Sequence, residues 1–181
     1  MTSRAAWTAT PLPAVIVPDA VGRALAAEVR RRVEGAGYTR FTRVDRGSYD
    51  VATSPNEAEL LEALTGVAAE VTGRSLALVE ARVLRLHPGD YLLVRHDRVH
   101  DDRPIELVLD LSPAIVAGAE VHYRHRGQVF FTVPSAPGSL AIVERGPTVM
   151  CNHTYVSRRL AGASVVRLMV LLRAEPRGDE V

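Results

Sequence analysis

The spacing of apolar positions changes character once along the chain. Before residue 75 or so, apolar side chains recur every three or four positions; from Leu76 onward they alternate. After a short apolar run, Ala14 to Val17, Asp19 can cap a helix whose apolar face is Val21, Leu25, Val29 and Val33, with Gly35 and Gly37 ending it. Ser54-Pro55-Asn56-Glu57 reads as a capping box with proline at the first helical position, and Leu60, Leu61, Leu64, Val67 and Val71 carry that second helix to a stop at Gly73. The segment between, Tyr38 to Thr53, contains Arg40, Arg43, Asp45, Arg46 and Tyr49 without a clear period, and is expected to be either a weak strand pair or a surface loop.

The alternating part predicts about eight short strands. They run Leu76 to Leu86, Tyr91 to His96, Ile105 to Leu111, Ala119 to Tyr123, Gln128 to Val133, Ser139 to Val143, Val149 to Val156 and Val165 to Leu172, with Gly, Pro, Asp and Asn between them. Short strands after two helices predict a mainly β, α+β protein: a sandwich or jelly roll with helices on one face. The expected organisation is one domain over residues 1–181, with helical support over about 1–75, a strand core over about 76–173, and a frayed end from Glu175 to Val181.

Composition narrows the function. The 22 basic and 21 acidic residues leave a net charge of +1, which argues against a general electrostatic attraction to nucleic acid or to an anionic membrane. All the basic residues are arginine, which suggests a GC-rich, bacterial source and excludes a catalytic lysine or Schiff base. The single cysteine, Cys151, excludes an internal disulfide and a Cys-rich zinc or iron–sulfur centre within one chain. The start, MTSRAAWTATPLPAV, lacks a long apolar segment, and no run reaches the roughly 18 apolar residues of a membrane span, so a cytoplasmic protein is expected. There is no Gly-rich phosphate loop followed by lysine and no Gly-x-Ser-x-Gly elbow.

The remaining chemistry gathers between His96 and Arg167. His96-Asp97 closes one apolar run and His153 lies in a later one; two histidines and a carboxylate on adjacent strands can hold non-haem Fe(II) and leave positions open. Arg167 stands among Val165, Val166, Leu168 and Met169, where a charge needs a buried partner or an anionic ligand. Its planar two-pronged donor suits a carboxylate. Cys151 shares the alternation of His153, and Tyr123-Arg124-His125-Arg126-Gly127 reads as a basic hairpin tip.

The ordered series Leu86-His87-Pro88-Gly89-Asp90-Tyr91, Val94-Arg95-His96-Asp97, Arg103 to Ser112, Gly118-Ala119-Glu120-Val121, Pro137-Gly138-Ser139-Leu140, Asn152-His153 and Val166-Arg167-Leu168 resembles the Fe(II)- and 2-oxoglutarate-dependent oxygenases, in their prolyl-hydroxylase-like branch. The resemblance covers nearly the whole chain. It implies a double-stranded β-helix of the jelly-roll or cupin kind, with Fe(II), 2-oxoglutarate and O₂ as cofactor and co-substrates. It also implies His96, Asp97 and His153 as metal ligands, with Arg167 and Tyr91 on 2-oxoglutarate. A small-molecule or amino-acid-like substrate would be hydroxylated.

The chain departs from the family pattern at one place. The family spaces its ligands His-x-Asp, whereas here the position two after His96 is Arg98 and the carboxylate is adjacent. Because successive strand residues face opposite sides, Asp97 reaches the metal of His96 only where the strand ends or bulges. His100-Asp101-Asp102 restores the spacing but leaves almost no turn before Arg103, and a site without carboxylate, as in the family's halogenases, is the remaining alternative. Arg98, His100 and Asp102 are therefore candidate substrate or alternative-ligand residues.

Overall fold

A computed structural model describes residues 2–9, 11–53, 55–94, 97–98 and 100–175. The elements are α1 (Ser3–Thr8), β1 (Ala14–Val17), α2 (Arg23–Ala36), β2 (Thr39–Arg43), β3 (Gly47–Thr53), α3 (Ala58–Thr72), β4 (Leu76–Leu86), β5 (Tyr91–Leu92), β6 (Ile105–Asp110), β7 (Val121–His125), β8 (Gln128–Val133), β9 (Leu140–Glu144), β10 (Val149–His153) and β11 (Val165–Ala174). The alternating segments of the sequence are all represented. The residues before Leu76 contribute three helices and also three strands, because β1 and the β2–β3 hairpin pair with strands of the later core.

The helices differ from expectation at their starts. α2 begins at Arg23 with Gly22 as N-cap, while Asp19 sits in a turn at φ 48°. Its buried face is Ala26, Val29 and Val33, and Leu25 is exposed. α3 begins at Ala58, and its N-cap Glu57 makes no side-chain cap bond; that carboxylate accepts instead from Arg32 Nε at 2.8 Å and Nη2 at 2.6 Å. Ser54, the predicted cap, lies outside the described residues. Gly73 closes α3 in the left-handed conformation, as its position after the apolar run implies. No described helix is long and apolar enough to cross a membrane.

The strands form one antiparallel sheet in the order β1-β9-β6-β11-β4-β3-β5-β10-β7-β8, with β2 paired to β3. It bends so that β9, β6, β11 and β4 face β5, β10, β7 and β8 across an interior core that includes Leu84, Val108, Val121, Tyr123 and Met169. The other face of β6, β11 and β4 packs against the helices through Leu107, Leu109, Leu168 and Val170 with Leu64 and Ala68. This is the expected jelly-roll, barrel-like arrangement, mainly β with helices on one side. Alternation then decides which polar residues point inward. On β11, Val166, Leu168 and Val170 go to the helices, so Arg167 shares the interior side with Val165 and Met169.

Two features join the early hairpin to the core. Gly47, at φ 140°, lies so close to β5 that a Cβ there would stand 2.2 Å from the Tyr91 carbonyl oxygen, which restricts the position to glycine. Beside it, Arg40 grips Asp90 with two N–H donors, at 2.7 and 2.5 Å, and Asp50 at 3.1 Å, while Arg85 donates to Asp50 at 2.7 Å and Ser48 to Asp90 at 2.7 Å. Burial tends to raise both aspartate pKa values, but these donors, with His87, outweigh it and hold both below the ordinary carboxylate value. A depressed folded pKa contributes stability that is present above the unfolded value, about 4, and is lost as pH falls through the folded one. The thermal midpoint should therefore drop as pH is taken below about 4. Asp90→Asn should flatten that dependence; an unchanged acid limb in the variant would remove the network from the explanation.

Candidate functional site

The interior of the bent sheet opens into a cavity of about 130 Å³ between β5, β6, β10 and β11. Asp97, His100, Glu106, Cys151, His153 and Met169 are among its lining residues. The structure thus brings together Asp97 and His153 from the predicted metal set. His96, the third, lies outside the described residues. Cys151 and His153 come from alternate positions of β10, as the sequence spacing implied, and burial pushes the Cys151 thiol well above its ordinary pKa.

Asp97 is held on one edge. Its Oδ2 accepts from Arg145 Nη2 at 2.5 Å and from the Cys151 amide at 2.6 Å, while Oδ1 accepts from the adjacent Arg98 amide at 3.0 Å. Arg145 follows the last residue of β9 and is fully buried. Its Nη1 donates to Glu106 Oε2 at 2.7 Å, and Tyr123 donates its hydroxyl to Glu106 Oε1 at 2.5 Å. Burial opposes ionisation of both Arg145 and Glu106, yet each keeps its charge. Glu106 and Asp97 raise the Arg145 pKa above its ordinary value, and Arg145 with Tyr123 lowers that of Glu106 below its own. Two carboxylates share the Arg145 guanidinium here, and Glu80, Arg82 and Arg98 line the same cavity, so that its acidic and basic side chains balance.

Arg167 presents the opposite demand. It is 1% exposed, donates from Nη2 to the Ala119 carbonyl at 2.7 Å, and places Nη1 2.9 Å from His153 Nδ1. Among the described residues no carboxylate lies within the 4.0 Å of an ion pair. Asp110 is its neighbour in register across β6, but that carboxylate accepts from the Ser112 and Ala136 amides at 2.7 and 2.6 Å. Burial lowers the Arg167 pKa to about 10, with only distant help from Asp110, Tyr123 and Glu120 in the other direction. A buried cation satisfied by neutral groups alone is costly, and an anionic ligand removes that cost.

The other predicted residues are dispersed. The Tyr91 hydroxyl donates to the Val44 carbonyl at 3.3 Å, on the outer side, and its neighbours Leu92 and Leu93 line the cavity instead. Arg98 is on the rim, largely exposed, 3.7 Å from Glu80. His100 lines the cavity, its pKa lowered by burial and by Arg145. Asp102 turns away to pair with Arg173. At the hairpin tip, Arg124 is tied to Asn152 Oδ1 at 2.9 Å and to the Gly127 carbonyl at 3.0 Å.

Sequence reasoning missed Arg145, Glu106 and Tyr123. A signal for Glu106 was present: alternation in Ile105-Glu106-Leu107-Val108-Leu109-Asp110 sets Glu106 and Asp110 on the face opposite the helix-packed residues. Arg145 had none, since it lies beyond a strand end and its partners are distant in sequence.

The donor chemistry suits a metal with a dicarboxylate. Among the described residues no three His, Cys, Asp or Glu side chains converge on one point, and His96, adjacent to Asp97, is outside that set. The two donors that are described, Asp97 and His153, line one cavity, and the Arg167 guanidinium, 2.9 Å from His153, has no carboxylate partner among the described residues. A metal would draw on the first two, and an anion beside the guanidinium would offset its buried charge.

No protein-family model matches the sequence, and no curated protein matches it. Solved structures do match in fold. The chain is similar to a Pseudomonas putida prolyl-4-hydroxylase, with 17% identity and a TM-score of 0.68, covering 96% of this chain and 99% of that one. It is also similar to an oxidoreductase of the 2OG-Fe(II) oxygenase family from Burkholderia pseudomallei, with 11% identity and a TM-score of 0.72 over 97% of this chain and 93% of that one. HygX from Streptomyces hygroscopicus, solved with nickel and 2-oxoglutarate bound, matches at 12% identity and a TM-score of 0.60 over 89% of this chain and 82% of its own. These neighbours are prolyl hydroxylases and other 2-oxoglutarate-dependent Fe(II) oxygenases, and the chain has their fold.

Proposed function

We propose that this chain, built on the fold of the 2-oxoglutarate-dependent Fe(II) oxygenases, is a bacterial, cytoplasmic dioxygenase of that class that hydroxylates a small-molecule or amino-acid-like substrate. The observation that carries it is Arg167, a fully buried guanidinium with no carboxylate beside it among the described residues, 2.9 Å from His153, which lines the cavity. Arg167 would hold the far carboxylate of 2-oxoglutarate through its two-pronged donor edge. His153 and Asp97, with His96, would hold Fe(II) through two imidazoles and one carboxylate. Bound Fe(II) with 2-oxoglutarate supplies the activation of O₂ for C–H oxidation.

The chain's own residues do the rest. Met169 and Leu92, both buried, give the cavity apolar surface beside its polar groups. Arg82 and Arg98 stand at the rim, each near Glu80, where they can meet a polar substrate group.

Under anaerobic conditions, adding Fe(II) and 2-oxoglutarate to the folded protein should produce the visible absorption band of the ternary complex. A correctly folded protein that shows neither the band nor any affinity for 2-oxoglutarate would count decisively against the assignment. A second reading, a metal-free binding protein of the same fold, draws on the Asp97–Arg145 ion pair. It expects 2-oxoglutarate to bind with no transition metal retained after reconstitution.

A further inference from the structure

We propose that Arg145 is the positioning residue that allows an aspartate directly following a histidine to serve the metal. This rests on the function proposed above. In a His-x-Asp arrangement the strand's alternation aims both side chains to one side. Here β5 ends at Leu92, so no strand alternation aims Asp97, and another device must hold its carboxylate toward the cavity.

Arg145 supplies it. Its guanidinium spans two carboxylates, Nη2 on Asp97 Oδ2 at 2.5 Å and Nη1 on Glu106 Oε2 at 2.7 Å. Glu106 is itself anchored by the Tyr123 hydroxyl at 2.5 Å, and Arg145 Nη2 also approaches the Arg98 carbonyl at 3.3 Å and the Val149 carbonyl at 3.4 Å. The fork is thus fixed from the strand side, and Asp97 hangs from it. The Cys151 amide takes the same oxygen, Oδ2, at 2.6 Å. Both donors from outside the segment converge on one carboxylate oxygen, and among the described residues Oδ1 has the adjacent Arg98 amide as its donor. A metal-binding carboxylate whose second oxygen is held by outer hydrogen bonds shows this division of labour. The planar geometry matters: a guanidinium reaches the two carboxylates from two separate nitrogens held in one plane, whereas an ammonium offers all its donors from a single nitrogen.

The test uses Co(II) as the metal probe, with affinity measured by calorimetry in the presence of saturating 2-oxoglutarate, and 2-oxoglutarate affinity measured separately without metal. Arg145→Gln should weaken Co(II) binding by about 10- to 100-fold, the usual effect of losing a residue that orients a ligand, while metal-free 2-oxoglutarate binding at Arg167 stays unchanged. Arg145→Lys retains the buried charge and keeps the protein folded should glutamine not, and it should still lose about tenfold in Co(II) affinity because the fork is gone. Equal or tighter Co(II) binding by either folded variant overturns the proposal, since the guanidinium would then be competing with the metal for Asp97. Wild-type protein that binds 2-oxoglutarate but no Co(II) overturns it as well, and favours the metal-free reading. Protein that binds neither ligand defeats the proposed function itself.

Discussion

Arg167→Leu should abolish useful 2-oxoglutarate binding while leaving the ligand-free protein as stable as before. Truncating one partner of a buried, hydrogen-bonded charge pair costs about 2–5 kcal/mol, so affinity should fall between about 30-fold and several thousandfold. The stability expectation follows from the same burial. Leucine leaves the Ala119 carbonyl and His153 Nδ1 without their donor, at a cost of about 1–3 kcal/mol for each group. It also removes a guanidinium that no described carboxylate neutralises, and desolvating such an ion costs several kcal/mol. The two roughly cancel. Binding titration with a thermal melt of the same sample decides the matter: a variant that binds 2-oxoglutarate normally, or that unfolds far below wild type, makes Arg167 a structural residue.

The second large effect concerns metal and dicarboxylate together. An imidazole that accepts from Arg167 at Nδ1 carries its hydrogen on Nε2, and in that form it does not offer Nε2 to a metal. A dicarboxylate that draws Arg167 to itself releases His153 for the metal. Coupling of this kind is reciprocal and typically amounts to about 1–3 kcal/mol, or roughly 5- to 150-fold in affinity. Co(II) should accordingly bind wild type more tightly with 2-oxoglutarate than without. Chelation by 2-oxoglutarate alone produces that trend too, so the discriminating result is the variant: Arg167→Leu without 2-oxoglutarate should bind Co(II) more tightly than wild type does. His153→Ala should lose Co(II) binding under both conditions. Equal metal affinity for Arg167→Leu and wild type, both free of 2-oxoglutarate, would show that the Arg167–His153 contact exerts no hold on the imidazole.

The strand core was legible because a two-residue period survives in any sheet with a buried face. Gln128 to Val133 matches β8 throughout, and Val165 to Leu172 lies within β11. The segment Tyr38 to Thr53 was ambiguous for a physical reason: β2 is an edge strand, exposed along most of its length, so burial imposes no alternation on it. It is held by its ladder with β3 and by Arg40 reaching beyond the hairpin to Asp90, and an ion pair leaves no periodic mark.

The candidate site divides along the same line. The sequence by itself determined the fold class and the inward side of β10 and β11, because alternation is a local property of the backbone and a charge inside an apolar run is visible without coordinates; the contact of His153 with Arg167 waits on the bend of the sheet, since these strands are not neighbours in it. Tyr91 shows the limit of that logic: the strand is only two residues long there, and its hydroxyl goes outward to Val44. What only the tertiary structure decided is how Asp97 is held. Its partners, Arg145 on the far end of β9 and the Cys151 amide on β10, are separated from it by roughly fifty residues and reach it only once the sheet has bent over itself. Hydrogen bonds of that range depend on where chain segments arrive in space, and spacing along the chain carries no record of it.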